Sequence, residues 1–258
     1  KRQTLRYFAR ETDRPLTLAL LVDTSISQQR ILPIEQETAA LFFQRVLRAD
    51  DLALLITFDV NVDLLQDFTS EAERLERALG RARINTPALS GPFPRTGSVG
   101  TRLFDALYLA SVEKLAPEAG RKVIVVLSDG VDAGSQMKFE QVLEAAQRSH
   151  TMIYAIVVAD PDFYLKRGSG YPGAGRLKKL ARETGGRTIR VNKPEKLAAA
   201  FDALAAELRS QYSLGYTPTN RQADGKFRKI KVKVKRKGLR VQARRGYYAP
   251  RVSARTTP

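Results

Sequence analysis

The segment that most constrains the fold is an unbroken apolar run that ends abruptly in polar residues. Residues 18–22 carry no polar side chain, which is typical of a strand buried on both faces of a parallel sheet. Asp23 follows directly, and Ser25 and Ser27 lie on the next alternate positions. Side chains at the carboxyl end of a central strand line the crevice where α/β sheets bind ligands. Carboxylate and hydroxyl oxygens suit Mg²⁺ there, although the same residues would also serve as caps of a following helix.

Up to residue 210 the chain alternates apolar strands with helical patterns. This alternation indicates βαβ units and a doubly wound, mostly parallel α/β sheet covered on both faces. The helix over 33–48 has acidic residues early, Glu35 among them, and basic residues late, an order that complements the helix dipole. The strand at 62–65 is predicted to form a hairpin with the strand before it. The predicted strands are 16–23, 52–58, 62–65, 122–127, 152–158 and 187–191, and the predicted helices are 33–48, 71–79, 103–115, 139–148, 177–184 and 194–209.

The pattern changes after residue 210 to short strands separated by turns. In the stretch 227–234, apolar residues alternate with lysines, which is typical of a strand with one solvent-exposed face. We expect a small antiparallel β appendage with strands at 212–216, 227–234 and 239–243. An isolated sheet of this size needs an apolar cover, for which the helix 194–209 and a strand at 4–8 are the candidates. The apolar face would consist of Ile230, Val232, Val234, Leu239 and Val241.

The net charge of +17 is concentrated in the last 38 residues, which hold 14 basic side chains and one acid, Asp224. This basic segment permits an alternative function, the binding of a polyanion such as nucleic acid, an acidic glycan or anionic lipid. A simpler interpretation is a solvated strand face whose charge prevents pairing with other chains. We favour the simpler interpretation, because no recognised nucleic-acid-binding motif accompanies the charge.

Composition excludes several classes of protein. The chain contains no cysteine, which rules out a disulfide scaffold, a thiol nucleophile and a cysteine-ligated zinc site. Its apolar runs are all far shorter than the roughly 20 residues of a membrane span. Two long stretches, 81–100 and 160–175, show no periodicity. We expect them to form the rim beside the ligand site and to select the partner.

Two further strand ends carry oxygen donors, and together with the first they resemble a known site. Thr101 opens a helix after a glycine-rich stretch, and Asp129 lies in the turn Ser128-Asp129-Gly130. With the Asp-x-Ser-x-Ser motif, they resemble the metal-ion-dependent adhesion site of the von Willebrand factor type A domain. The resemblance covers residues 15–210 and matches all five positions of that site, namely Asp23, Ser25, Ser27, Thr101 and Asp129.

The C-terminal segment resembles one particular family among the proteins with this type of domain. The stretches 211–218, 224–230 and 245–248 resemble the end of a bacterial VWFA-related family first noticed in acidobacteria. Members typically carry an export signal and an N-terminal β segment, so the resemblance implies an exported protein whose signal is missing from this chain. It also implies a domain organisation: a remnant of the β segment at 1–14, the type A domain at 15–210, the appendage at 211–250 and a disordered tail at 251–258.

The resemblance implies binding rather than catalysis. In the family, the hydroxyls matching Ser25 and Ser27 bind the cation directly, the two carboxylates often act through water, and the threonine acts in either way. The expected ion is Mg²⁺, or Mn²⁺ or Ca²⁺, with an open position for an Asp or Glu of a protein partner.

The alternative of a magnesium-dependent hydrolase has little support in the sequence. Phosphoryl transfer by an aspartyl nucleophile would need a second acid at the position of Ser25. A phosphate-binding loop is missing, and the one histidine, His150, ends a predicted helix. We therefore expect that the protein is not an enzyme.

Overall fold

A computed structural model describes residues 2–11, 14–84, 100–166 and 174–251. Outside these ranges lie residues 85–99 of the irregular stretch 81–100, residues 167–173 of the stretch 160–175, and residues 252–258 of the expected disordered tail. The strands are β1 Leu5–Arg10, β2 Leu16–Asp23, β3 Leu52–Phe58, β4 Val62–Thr69, β5 Arg121–Ser128, β6 Met152–Val158, β7 Thr188–Val191, β8 Tyr212–Tyr216, β9 Phe227–Lys229 and β10 Gly246–Tyr248. The helices are α1 Leu32–Val46, α2 Ala72–Leu79, α3 Leu103–Leu109, α4 Phe139–Arg148, α5 Pro161–Lys166, α6 Gly175–Thr184 and α7 Leu197–Leu208.

Among the described residues, six strands form the central sheet in the order β4-β3-β2-β5-β6-β7. All neighbours are parallel except β4, which returns antiparallel to β3 as the predicted hairpin. Strand β2 lies between β3 and β5, and every one of its residues is buried. The apolar run 18–22 is therefore at the centre of the sheet, where both of its faces are covered.

Helices cover both faces of the sheet, because alternate side chains of each strand point to opposite sides. Leu18 and Leu20 of β2 pack with residues of α1, α2 and α7 in one core cluster. Ala19 and Leu21 pack with residues of α3, α4 and α6 in a second cluster on the other face. The prediction of a doubly wound, mostly parallel α/β fold is confirmed.

The helix boundaries follow local sequence signals with small differences. Proline lies in the first turn of α1, where its missing N–H costs nothing. Pro194 opens a 3₁₀ turn, Pro194–Lys196, that continues into α7. The helix predicted over 103–115 is α-helical to Leu109 and then widens into a π-helical turn, Ala110–Leu115. No helix in the described ranges is both long enough and apolar enough to cross a membrane.

The C-terminal strands pair differently from the prediction. Strand β8 pairs antiparallel with β1, so the N-terminal strand does join this region, whereas β9 pairs with β10. The prediction of one three-stranded sheet is wrong, because residues 239–243 form no strand. The expected apolar face is also wrong, since Val234, Leu239 and Val241 are 49%, 56% and 42% exposed.

Aromatic and backbone contacts determine how β9 and β10 are attached. The rings of Phe227 and Tyr248 meet edge to face with centroids 5.2 Å apart, and the Arg148 guanidinium of α4 lies 4.1 Å from the Tyr248 ring centroid. The Arg245 amide donates to the carbonyl of Glu183 at the end of α6, 3.1 Å away. The strand pair β9–β10 is therefore attached to α4 and α6, whereas the segment between the two strands contacts α7, where Gln242 Nε2 donates to Glu207 Oε1 over 2.6 Å.

Candidate metal centre

Two of the predicted site residues, Asp23 and Asp129, lie close together at the carboxyl ends of the neighbouring strands β2 and β5. Parallel pairing places Val22 opposite Leu127, so Asp23 and Ser128 end their strands side by side. Ser128 Oγ donates to Asp23 Oδ2 over 2.6 Å. Ser27 Oγ, in the 3₁₀ turn after β2, donates to Asp129 Oδ2 over 2.7 Å, and Ser25 Oγ lies 3.1 Å from Ser27 Oγ. Four of the five predicted residues thus meet in one hydrogen-bonded cluster.

Each carboxylate divides its two oxygens between the backbone and the cluster. Asp23 Oδ1 accepts from the Ser25 amide at 3.0 Å, and Asp129 Oδ1 accepts from the Val131 amide at 3.0 Å. These bonds stabilise the turns that follow β2 and β5, whereas the alternative of a helix cap is not observed, because neither the 3₁₀ turn after β2 nor α1 has a side-chain cap. The Oδ2 atoms of both residues instead accept from hydroxyls inside the cluster. The turn contacts and ligand donation are therefore compatible here, because each uses a different oxygen.

Thr101 reaches the same edge of the sheet through backbone contacts. Its amide donates to the Ala133 carbonyl at 2.7 Å, and the Ala133 amide donates back at 2.9 Å. The next residue, Arg102, donates from its amide to the Asp59 carbonyl, and Asp59 Oδ2 accepts from Thr24 Oγ1 beside the cluster. A Cβ on Gly100 would lie 2.8 Å from the Ala133 carbonyl oxygen, so the close approach requires glycine before Thr101.

The cluster concentrates negative charge in a buried place. Asp23 and Asp129 are 0% and 1% exposed. Burial, followed by repulsion from Asp129, raises the pKa of Asp23 to about 7, although hydrogen bonds from Ser128 and Ser25 oppose the increase. The two carboxylates therefore resist sharing the site in ionised form unless positive charge is added.

Three further residues belong to this centre and were not found from the sequence. Tyr164 Oη donates to Asp129 Oδ2 over 2.6 Å, from a helix inside a stretch that showed no periodicity. Glu35 is fully buried, and neither of its carboxyl oxygens has a hydrogen-bond partner. Burial raises the pKa of Glu35 well above its usual range, and the charges of Asp23 and Asp129 contribute. Gln28 is also fully buried, with Oε1 unpaired.

The donor set fits a hard divalent cation. Carboxylate and hydroxyl oxygens are the ligands that Mg²⁺ and Ca²⁺ prefer, and the unpaired oxygens of Gln28 and Glu35 are acceptors in need of a positive partner. In the described part of the chain, no three acidic or histidine side chains converge closely enough to chelate a metal by themselves. The serine hydroxyls and water would therefore have to complete the shell.

The histidine lies away from this cluster. His150 precedes β6 and so lies at the amino-terminal edge of the parallel sheet, opposite the carboxyl ends of β2 and β5. Its Nδ1 is 2.8 Å from Arg244 Nη1, and burial with the charge of Arg244 lowers its pKa. It also borders a surface cavity of about 560 Å³ together with Lys122 and Tyr108. His150 cannot act as a base on a group bound at the cluster.

Solved structures that superpose on this chain include von Willebrand factor type A domains. A von Willebrand factor type A protein from Catenulispora acidiphila superposes with a TM-score of 0.58 and 14% identity, over 76% of this chain and 43% of that one. The vWF domain of the type V pili tip protein Mfa5 from Porphyromonas gingivalis superposes with a TM-score of 0.54 and 15% identity, over 76% of this chain and 95% of that domain. The PilB minor pilin from Streptococcus sanguinis superposes with a TM-score of 0.55 and 12% identity, over 77% of this chain and 62% of that one.

The similarity is one of fold. The chain spans less than half the length of the Catenulispora protein that it matches. The sequence matches no protein-family model, and no curated protein is similar to it by sequence.

Proposed function

We propose that this chain, which has a von Willebrand factor type A fold, binds a protein partner through a divalent cation held at the buried cluster. The observation that carries the proposal is the meeting of two buried carboxylates with serine hydroxyls at the carboxyl edge of the sheet. The residues that would hold the ion are Asp23, Ser25, Ser27, Thr101 and Asp129.

The donor chemistry explains why such a site would favour binding over catalysis. A divalent ion supplies an electrophilic position that accepts a carboxylate oxygen of the partner. Asp23 and Asp129 would balance its charge without exceeding it, whereas Ser25 and Ser27 are neutral and weak donors. We accordingly propose that an Asp or Glu of a partner protein occupies the remaining position, with Mg²⁺, Mn²⁺ or Ca²⁺ as the ion.

The proteins of similar fold support a role in assembly outside the cell. One is the tip protein of type V pili and another is a minor pilin. We propose by this analogy that the present protein is exported and non-enzymatic.

Calorimetry with Mn²⁺ and Mg²⁺ on the wild type, Asp23→Ala and Asp63→Ala tests the cation site. Asp63 is an exposed acid on β4, so its variant controls for the loss of one negative charge. We expect binding heat for the wild type and the control and none for Asp23→Ala. Equal heats for the wild type and Asp23→Ala would refute the site.

Partner binding is tested by retention of envelope proteins on the immobilised wild type and Asp23→Ala. Retention that disappears with EDTA and with Asp23→Ala, and persists in high salt, is the expected result. Retention that salt abolishes and EDTA leaves intact would instead support polyanion binding through the basic C-terminal segment.

A further inference from the structure

Glu35 is the least satisfied charged group at the candidate metal centre. It lies in the first turn of α1, where an acid usually faces solvent and stabilises the helix dipole. Its side chain is 0% exposed, whereas Glu37, two residues later, is exposed. Both carboxyl oxygens of Glu35 lack a hydrogen-bond partner. Helix-dipole stabilisation therefore does not account for its position.

An unpaired buried carboxyl group is unfavourable in either protonation state. The ionised form loses its hydration without compensation, and the neutral form leaves its O–H without an acceptor. Buried polar groups without partners are rare and point to an ion or water that completes them. Backbone hydrogen bonds from Ile31 to Gln28 and from Glu35 to Ile31 lead from the turn of the cluster directly into α1, and the charges of Asp23 and Asp129 act on the Glu35 carboxyl group.

Gln28 provides a second observation at the same place. Its side chain is fully buried, and its Nε2 lies 3.5 Å from Ser27 Oγ, inside the cluster. Its Oε1 has no hydrogen-bond partner. Three buried acceptor oxygens, one from Gln28 and two from Glu35, thus lack donors at one centre. Water molecules bound to a cation would supply the missing donors, because coordination polarises their O–H bonds and strengthens hydrogen-bond donation.

We propose that Glu35 is a third carboxyl group of the cation site, which accepts a hydrogen bond from a water in the ion's shell behind Asp23 and Asp129. This inference depends on the proposed cation site. Direct chelation by all three acids is excluded, because they do not converge closely enough to form a metal-binding group. Gln28 acts as a neutral acceptor for the same water shell. Outer groups of this kind orient and hold the bound ion.

The test measures Mn²⁺ affinity by calorimetry on the wild-type chain, Glu35→Gln and Glu37→Gln. Glu37→Gln is the matched control, since it removes an exposed acid from the same helix. We expect Glu35→Gln to bind Mn²⁺ about 10–100-fold more weakly than the wild type, the usual effect of losing an outer-shell partner, and the control to be unchanged. In EDTA, Glu35→Gln should melt at or above the wild-type temperature, because burial and the neighbouring carboxylates oppose ionisation of the Glu35 carboxyl group, whereas the amide has no charge to suppress.

Wild-type affinity for Mn²⁺ in Glu35→Gln would overturn the inference, and so would a melting temperature in EDTA well below that of Glu37→Gln. If Glu35→Gln does not fold, Glu35→Met, which fills the same volume without polar atoms, replaces it with the same expected loss. The two proposals fail in distinguishable ways. A wild-type chain that binds no Mn²⁺ overturns both, whereas loss of binding in Asp23→Ala with full binding in Glu35→Gln overturns only the role of Glu35.

Discussion

Replacing Asp23 by asparagine should stabilise the metal-free protein, although it removes a central residue of the proposed site. Raising the pKa of a carboxyl group from 3.8 to about 7 corresponds to about 4 kcal/mol between its ionised and neutral forms. Above pH 7 the folded wild type must therefore carry a charge that burial and Asp129 oppose. Asparagine has nearly the same shape and no charge.

The hydrogen bonds of Asp23 can be kept by the amide. The asparagine oxygen can accept from the Ser25 amide, and its NH₂ group can donate to Ser128 Oγ, whose hydroxyl is free to rotate. Because water entry and small movements relieve part of the repulsion in the wild type, we expect a gain of about 1–4 kcal/mol in unfolding free energy at pH 8. For a domain of this size the gain corresponds to a melting temperature higher by a few degrees to about 10 °C.

The assay is thermal unfolding of the wild type, Asp23→Asn and Asp63→Asn in EDTA and in excess Mn²⁺. Asp63→Asn has the same change in net charge at an exposed position and should melt with the wild type. In Mn²⁺ the wild type should gain stability and Asp23→Asn should not, because a bound ligand stabilises only the state that binds it. A lower melting temperature for Asp23→Asn in EDTA would refute the electrostatic reasoning, and an equal response to Mn²⁺ would refute the cation site.

Two further predictions follow from buried carboxylates. In EDTA, the wild type should lose stability relative to Asp23→Asn as the pH rises from about 4 to 7, by at most about 1.4 kcal/mol per pH unit. The reason is that in this range the folded state retains a proton on Asp23 that the unfolded state has lost. Urea unfolding measures the difference between the two proteins, and a difference that does not change with pH would contradict the prediction. Asp51, which is 2% exposed, accepts from the Leu16 amide at 2.6 Å and from the Arg209 guanidinium. Asp51→Ala should therefore lower the unfolding free energy by about 2–4 kcal/mol in urea titrations, whereas the exposed neighbour variant Asp50→Ala should have little effect.

Local patterns in the sequence were sufficient for the architecture of the central sheet. An apolar run such as 18–22 can be stable only where both faces are covered, and its alternation with helical periodicity leaves few arrangements other than a doubly wound sheet. The positions of Asp23 and Asp129 followed for the same reason, since residues that directly follow parallel strands must lie at the same edge of the sheet. Periodicity and strand polarity are properties of adjacent residues and can be read without coordinates.

Contacts between distant segments were decided only by the tertiary structure. An acid in the first turn of a helix, such as Glu35, is usually exposed, and only the packing of α1 against the sheet shows that this one is buried and subject to the charge of Asp23. The contact from Tyr164 to Asp129 comes from a stretch without periodicity. In the C-terminal segment the alternation of valine and lysine predicted the wrong partners, because side-chain alternation defines the two faces of a strand but not its neighbour. The neighbour of β9 was set instead by the pairing of Phe227 with Tyr248 and the attachment of that pair to α4, which are contacts that no local pattern encodes.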